Sequence, residues 1–260
     1  MSLMQVEKLT KSFGGLTAVS NVNMDLQKGE LVGLIGPNGA GKTTLFNLLT
    51  GVYVPTSGSI TLNIDGKKQS IAGRKPYDIT KLGVARTFQN IRLFKDLTVL
   101  DNVRIAMHQN VKYGLGASFI HTPAYYREEK ELLKMANELL EIFKLDNKKN
   151  DLSKNLSYGE QRHLEIARAL ATKPSLLLLD EPAAGMNPAE TAALTESIKW
   201  LREEFNLTIL LIEHDMSLVM KICERINVLD YGMLIASGVP EEIKSNKRVI
   251  EAYLGGEVNA

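Results

Sequence analysis

Nine consecutive residues, Gly36-Pro37-Asn38-Gly39-Ala40-Gly41-Lys42-Thr43-Thr44, satisfy the spacing G-x-x-x-x-G-K-[ST]. Backbone N–H groups curl round a polyphosphate only where no Cβ obstructs them, which gives Gly36, Gly39 and Gly41 their purpose. Lys42 then reaches the outer phosphates, Thr43 ligates Mg²⁺, and a helix starting near Lys42 adds its positive end. The candidate nucleotide-binding set is therefore Gly36, Asn38, Gly39, Ala40, Gly41, Lys42, Thr43 and Thr44. An apolar run at 31–35 precedes the loop, and residues 44–49 follow in helical phase, as a strand–loop–helix unit requires. The chain reads as one that binds a nucleoside triphosphate with Mg²⁺.

A second acidic feature sits at the end of an apolar run, where Leu176 to Leu179 lead into Asp180-Glu181. Asp180 at a strand end beside a phosphate loop can hold the Mg²⁺ that bridges the phosphates, and Glu181 can take a proton from an attacking water. Adjacent carboxylates are costly without a cation, although both also read as solvated strand-end acids. Ser157 and Glu160, in Ser157-Tyr158-Gly159-Glu160-Gln161, form an S-x-x-E capping box, so a helix starts where its N–H groups can also meet an anion. His214 directly follows a second apolar run and is a candidate phosphate contact or an ordinary polar residue. Gln89 orients water or Mg²⁺, or sits in a polar hinge. Phe13, between Lys11-Ser12 and Gly14-Gly15, stacks on a base or packs in the core. His108, His121 and His163 lack partners at metal-ligand spacing and read as structural.

The elements that must position these residues follow from periodicity. Residues 4–9 read as an edge strand, 18–26 as a second strand, and Ile60, Leu62 and Ile64 as one face of a third, closed by a hairpin-type turn at Asp65-Gly66. Residues 97–107 read as a helix, 112–126 as irregular, and 127–145 as a strongly amphipathic helix. Continuous apolar runs at 175–179 and 208–212 predict strands buried on both faces, separated by a helix over 188–204. A late hairpin turns at Tyr231-Gly232. With 260 residues the chain can bury a large core, and 31 basic against 30 acidic residues supply no general attraction for nucleic acid. The single Cys223 excludes a disulfide framework, and no apolar run approaches the ~20 residues of a bilayer span, so an intracellular protein is expected.

In order along the chain, these segments resemble the ATP-binding subunits of ABC transporters. Residues 36–44 resemble Walker A, Gln89 the Q-loop, Leu156 to Glu160 the signature, Leu176 to Glu181 Walker B, and His214 the switch histidine. Phe13 falls where that family places an adenine-stacking aromatic. The resemblance implies a P-loop NTPase core of α/β class, a mixed sheet with an antiparallel portion, and an inserted α-helical subdomain. It divides the chain into a core part at 1–89, a helical subdomain at 90–160 and a second core part at 161–260. It implies two subunits packed head to tail, as a homo- or heterodimer, with Ser157 and Gly159 of one completing the γ-phosphate site on the other's Walker A. ATP closes such a dimer, and hydrolysis with Glu181 as base and Lys42, Gln89 and His214 assisting opens it. Gln89 would signal to transmembrane permease subunits, docked near 90–107, on the cytoplasmic face of the membrane; a solute-binding protein would take part indirectly.

Two residues depart from the family pattern. Glu160 stands where Gln is usual, and its added negative charge near a partner's phosphate is expected to weaken closure. Asn187 stands where Asp is common, and with Pro188 next and Glu190 three residues on it also reads as a helix N-cap. Residues 88–94, the insertion after His108, residues 182–188 and the ending 251–256 resemble the branched-chain amino-acid importers. Cassettes for amides, urea or lipopolysaccharide are similar alternatives. A nucleic-acid or ribosome-directed ABC ATPase fits less well, because one cassette, no basic face and no long coiled-coil arms are present.

Overall fold

The apolar runs that predict doubly buried strands form the middle of one sheet. A computed structural model describes residues 1–111 and 122–254. His121, most of the irregular insertion and Gly255-Gly256 lie outside the described residues. In chain order the strands are β1 Ser2–Phe13, β2 Leu16–Gln27, β3 Leu31–Ile35, β4 Ser57–Ile64, β5 Lys67–Ser70, β6 Val84–Arg86, β7 Leu176–Asp180, β8 Thr208–Ile212, β9 Arg225–Asp230 and β10 Met233–Gly238. The described helices are α1 Lys42–Leu49, α2 Pro76–Lys81, α3 Val99–Met107, α4 Pro123–Ile142, α5 Tyr158–Leu170, α6 Pro188–Glu204, α7 Met216–Ile222, α8 Pro240–Ser245 and α9 Lys247–Leu254. None of them is long and apolar enough to cross a membrane.

The strands make two sheets, one antiparallel in the order β2-β1-β4-β5 and one in the order β10-β9-β3-β8-β7-β6. In the larger sheet β9, β3, β8, β7 and β6 run parallel, and β10 closes it as an antiparallel hairpin partner of β9. Every residue of β3, β7 and β8 is buried. Val32, Leu34, Leu178 and Leu210 share one core with Val6 and Leu26 of the antiparallel sheet and with Phe46 of α1. The expected edge strand at 4–9 is instead interior, paired with β2 on one side and β4 on the other. Its alternation is weak because the pairing is interrupted by register shifts that rotate successive side chains out of phase.

Two compact units result, Met1–Arg86 with Ser175–Ala260, and Thr87–Pro174. The second unit therefore extends past residue 160, where the family resemblance ends it. The reason is α5, whose buried Leu164, Ile166 and Ala167 belong to a helix that packs on α3 and α4. Within this unit, fully buried Asn102 fixes the turn before α3. Its Oδ1 accepts from Phe94 N at 2.9 Å, and its Nδ2 donates to Phe94 O at 3.1 Å and Thr98 O at 3.0 Å. Asn102→Ala takes the acceptor from Phe94 N and leaves a cavity where a fully buried side chain stood, and is expected to cost about 1–3 kcal/mol, read from urea unfolding.

Candidate active site

The parallel strands bring three loops to one level. Leu34 pairs with Ile212, and Ile212 with Asp180, so the chain leaves β3, β8 and β7 side by side at their carboxyl ends. Ligands bind outside such an edge.

The loop after β3 is wedged tightly. Gly36, Gly39 and Gly41 all have positive φ, at 152°, 78° and 100°. A Cβ on Gly36 would lie 2.0 Å from the Leu229 carbonyl oxygen, and one on Gly41 2.4 Å from that of Ala18. Gly232 N donates to Ala40 O at 2.9 Å, so the β9–β10 turn braces the loop from behind. Gly41 caps α1 without a side chain, which leaves the first-turn N–H groups of α1 to an incoming anion. Lys42 is 7% exposed and donates from Nζ to Gly36 O at 2.6 Å and Pro37 O at 2.9 Å. Burial pulls its pKa down, and the charges of Glu181 and Asp180 oppose that shift. Asn38, Gly39 and Thr43 are exposed, so the Thr43 hydroxyl is accessible. From α9, Tyr253 also meets the loop: burial raises its pKa, and a hydrogen bond from the Gly36 backbone N–H lowers it again.

The acidic edge is equally specific. Asp180, 3% exposed, pairs through Oδ2 with Arg86 Nη2 at 2.7 Å. Arg86 Nη1 in turn donates to Asn47 Oδ1 of α1 at 2.7 Å, tying the acid to the helix of the phosphate loop. Glu181 donates its N–H to Ile212 O at 2.9 Å and then turns out of the strand at φ 47°, a conformation that costs energy for a residue with a Cβ. Its Oε1 lies 2.9 Å from His214 Nε2. A carboxylate only accepts, so this nitrogen carries the hydrogen. Lys42 thus lies within the field of Asp180 and Glu181, and Glu181 meets His214. Among the described residues no group of three or more His, Cys, Asp or Glu could hold a metal.

Phe13, at the end of β1, is 42% exposed and packs edge-on against Tyr53 at 5.2 Å, with Lys11 Nζ 4.9 Å from its ring centre. Gln89, Ser157 and Gly159 belong to the helical unit. Ser157 caps α5 with the full box: Glu160 N donates to Ser157 Oγ at 3.4 Å and Ser157 N to Glu160 Oε2 at 3.0 Å. Lys148 Nζ lies 2.6 Å from Glu160 and holds its carboxyl pKa below the ordinary value. The extra charge of Glu160 thus has a cation beside it within the same chain. Asn187 caps α6 in the same reciprocal way with Glu190, as predicted. His163 is structural too: its ring packs by Phe143, and burial lowers its pKa.

Four charged residues escaped sequence reasoning: Arg86, Glu213, Arg162 and Glu165. Each reads locally as a surface charge, and only its neighbours in space reveal it. Glu213, 4% exposed, accepts from Ala183 N at 2.7 Å and from His214 N at 3.1 Å, pinning the turn after Glu181 against the end of β8. Burial is the main cause that raises its pKa. Both its oxygens accept from backbone N–H groups, so an amide must set its NH₂ against one of them. Glu213→Gln, although isosteric, is expected to destabilise by about 1–3 kcal/mol, measured by thermal denaturation.

Comparison with known proteins gives this geometry a family. The model for "ABC transporter" matches residues 19–184, and that for "Branched-chain amino acid ATP-binding cassette transporter" matches residues 233–259. The high-affinity branched-chain amino acid transport ATP-binding protein of Escherichia coli is 51% identical over 253 residues, covering 97% of this chain and 98% of its own. Its counterpart in Pseudomonas aeruginosa is 48% identical over the same length, with the same shares of the two chains covered. The lipopolysaccharide export system ATP-binding protein of Haemophilus influenzae is 34% identical over 255 residues, with 98% of each chain covered. An ATP-binding cassette of an ABC transporter, solved in its ADP conformation, superposes with a TM-score of 0.83 at 30% identity, covering 98% of this chain and 99% of its own. With its phosphate loop, acidic strand end and histidine at one sheet edge, the chain belongs to the ATP-binding cassette family of ABC transporters.

Proposed function

We propose that this chain is the ATP-hydrolysing subunit of an ABC importer for branched-chain amino acids. The observation that carries the enzymatic part is the convergence of buried Lys42 with Asp180 and Glu181, and of Glu181 with His214 at 2.9 Å. Lys42, released from its loop carbonyls, meets the β- and γ-phosphates, and the N–H groups from Gly36 to Thr44 cradle them. Phe13 supports the adenine. Glu181 accepts a proton from the attacking water, and His214 holds the Glu181 carboxylate in place.

Mg²⁺ would be held by Thr43 and Asp180 and would neutralise charge on the phosphates, while Gln89, which matches the family's Q-loop, takes part in turnover. Both ligands offer oxygen, the donor this hard cation takes, and a site with few carboxylates suits an ion that relies on substrate phosphates and water. Ser157 and Gly159 serve the Walker A loop of a second cassette. A solved relative is described as the dimeric post-hydrolysis state of an ATP-binding cassette bound to ADP and Pi, with a TM-score of 0.74 at 27% identity over 91% of this chain and 98% of its own. Permease subunits hold the pair at the cytoplasmic face, docked near 90–107, and a solute-binding protein delivers cargo to them. The solute follows from the relatives: 51% identity to a branched-chain amino acid cassette against 34% to a lipopolysaccharide one.

Glu181→Gln is expected to keep ATP binding, trap a dimer and slow turnover by at least about 100-fold. Hydrolysis at the unmodified rate would remove Glu181 from the role of base. Cells lacking the gene should lose uptake of labelled leucine, isoleucine and valine, restored by the unmodified gene and not by the variant. Phe13→Ala should raise KM for ATP and leave kcat close to unchanged; an unaltered KM would return Phe13 to packing alone.

A further inference from the structure

Among the described residues, the most deeply buried ion pair in the helical unit has no part in the reading above. Arg162 and Glu165 are 0% and 1% exposed, and Arg162 Nη1 lies 2.7 Å from Glu165 Oε2. Beyond one bond from Arg162 Nη2 to the Tyr158 hydroxyl at 3.4 Å, the other hydrogen bonds they make reach the backbone around Gln89. Arg162 Nη1 donates to Phe88 O at 2.7 Å and Nη2 to Gln89 O at 2.9 Å. Glu165 Oε1 accepts from Phe88 N and from Arg92 N, each at 3.3 Å. Residues 88–92 form no strand or helix, so these side chains do for the segment what a ladder does for a strand. Burying such a pair gains little stability over apolar residues of the same volume, which directs attention to what it holds.

We propose that Arg162 and Glu165 are positioning residues for Gln89, fixing its backbone to the helix that Ser157 caps. Gln89 and the Ser157 end of α5 then respond to nucleotide as one rigid piece. This rests on the reading that Gln89 takes part in ATP turnover.

Arg162→Lys keeps the charge opposite Glu165 and loses the planar fork that spans two carbonyls. In the complex with permease it is expected to lower kcat about tenfold with KM for ATP within about twofold. Amide exchange at Phe88 and Arg92 should accelerate by about the same factor. In a Gln89→Ala background the same substitution should cost nothing further, because both changes act through one side chain. An equal cost in both backgrounds, or unchanged exchange, overturns the proposal while leaving Gln89 its role. Full turnover by Gln89→Ala alone overturns the role of Gln89 and the proposal with it. Should Arg162→Lys not fold, Glu165→Gln, which keeps the Oε1 acceptor and sets an amide against Nη1, enters the same cycle.

Discussion

The site depends on a backbone that has no room for side chains. At Gly36 and Gly41 the phosphate loop passes so close to the carbonyls of Leu229 and Ala18 that a single Cβ would have to displace main chain. Those carbonyls belong to β9 and β2, so the loop's shape is imposed by both sheets at once. The braces are distant in sequence: Gly232 supports Ala40 by a hydrogen bond, and Ser20 N donates in turn to Gly232 O at 2.8 Å. A flexible glycine-rich stretch is thereby held in one conformation, and the entropy of ordering it is met by folding rather than by nucleotide.

Against that fixed loop the charges are arranged so that each has its own counterpart. Asp180, Glu181 and Glu213 gather at one sheet edge, where unshielded carboxylates would repel strongly. Asp180 is held by Arg86, Glu181 by His214, and Glu213 by backbone N–H groups. A buried aspartate–arginine pair is poor evidence of stabilisation, but it does fix where the carboxylate points. Lys42 completes the set, its pKa lowered by burial and raised again by the two acids of β7 and its continuation. The strained φ of Glu181 belongs to the same arrangement: the residue leaves the ladder abruptly enough to turn its carboxylate toward His214.

What the sequence made legible was local. The phosphate loop is a run of nine residues whose chemistry needs no partner to be recognised, and the capping boxes at Ser157 and Asn187 involve groups three residues apart. The apolar runs of β7 and β8 declared burial on both faces without reference to the rest of the chain. Residues 4–9 were harder, since an interior strand with register shifts alternates no more cleanly than an edge. Arg162 and Glu165 were invisible for a different reason. At i and i+3 on a helix they match an ordinary solvated pair, and only their distant neighbours, residues 88–92 among them, show that the pair is buried. Lys148, which counters Glu160, is likewise twelve residues away and announces nothing in sequence.

The two arginines that escaped notice share a logic. The chain passes from one compact unit to the other between Arg86 and Thr87. On one side Arg86 is fastened to Asp180 and Asn47; on the other, the Phe88 backbone is fastened by Arg162 and Glu165. Each unit therefore holds its own end of the crossing by buried, charge-assisted hydrogen bonds, the stronger kind, rather than by apolar contact alone. Such bonds are directional, so within each unit the backbone next to the crossing is held in one orientation. Asp180, proposed as a ligand of Mg²⁺, is fastened at one anchor, and Gln89, proposed to take part in turnover, adjoins the other.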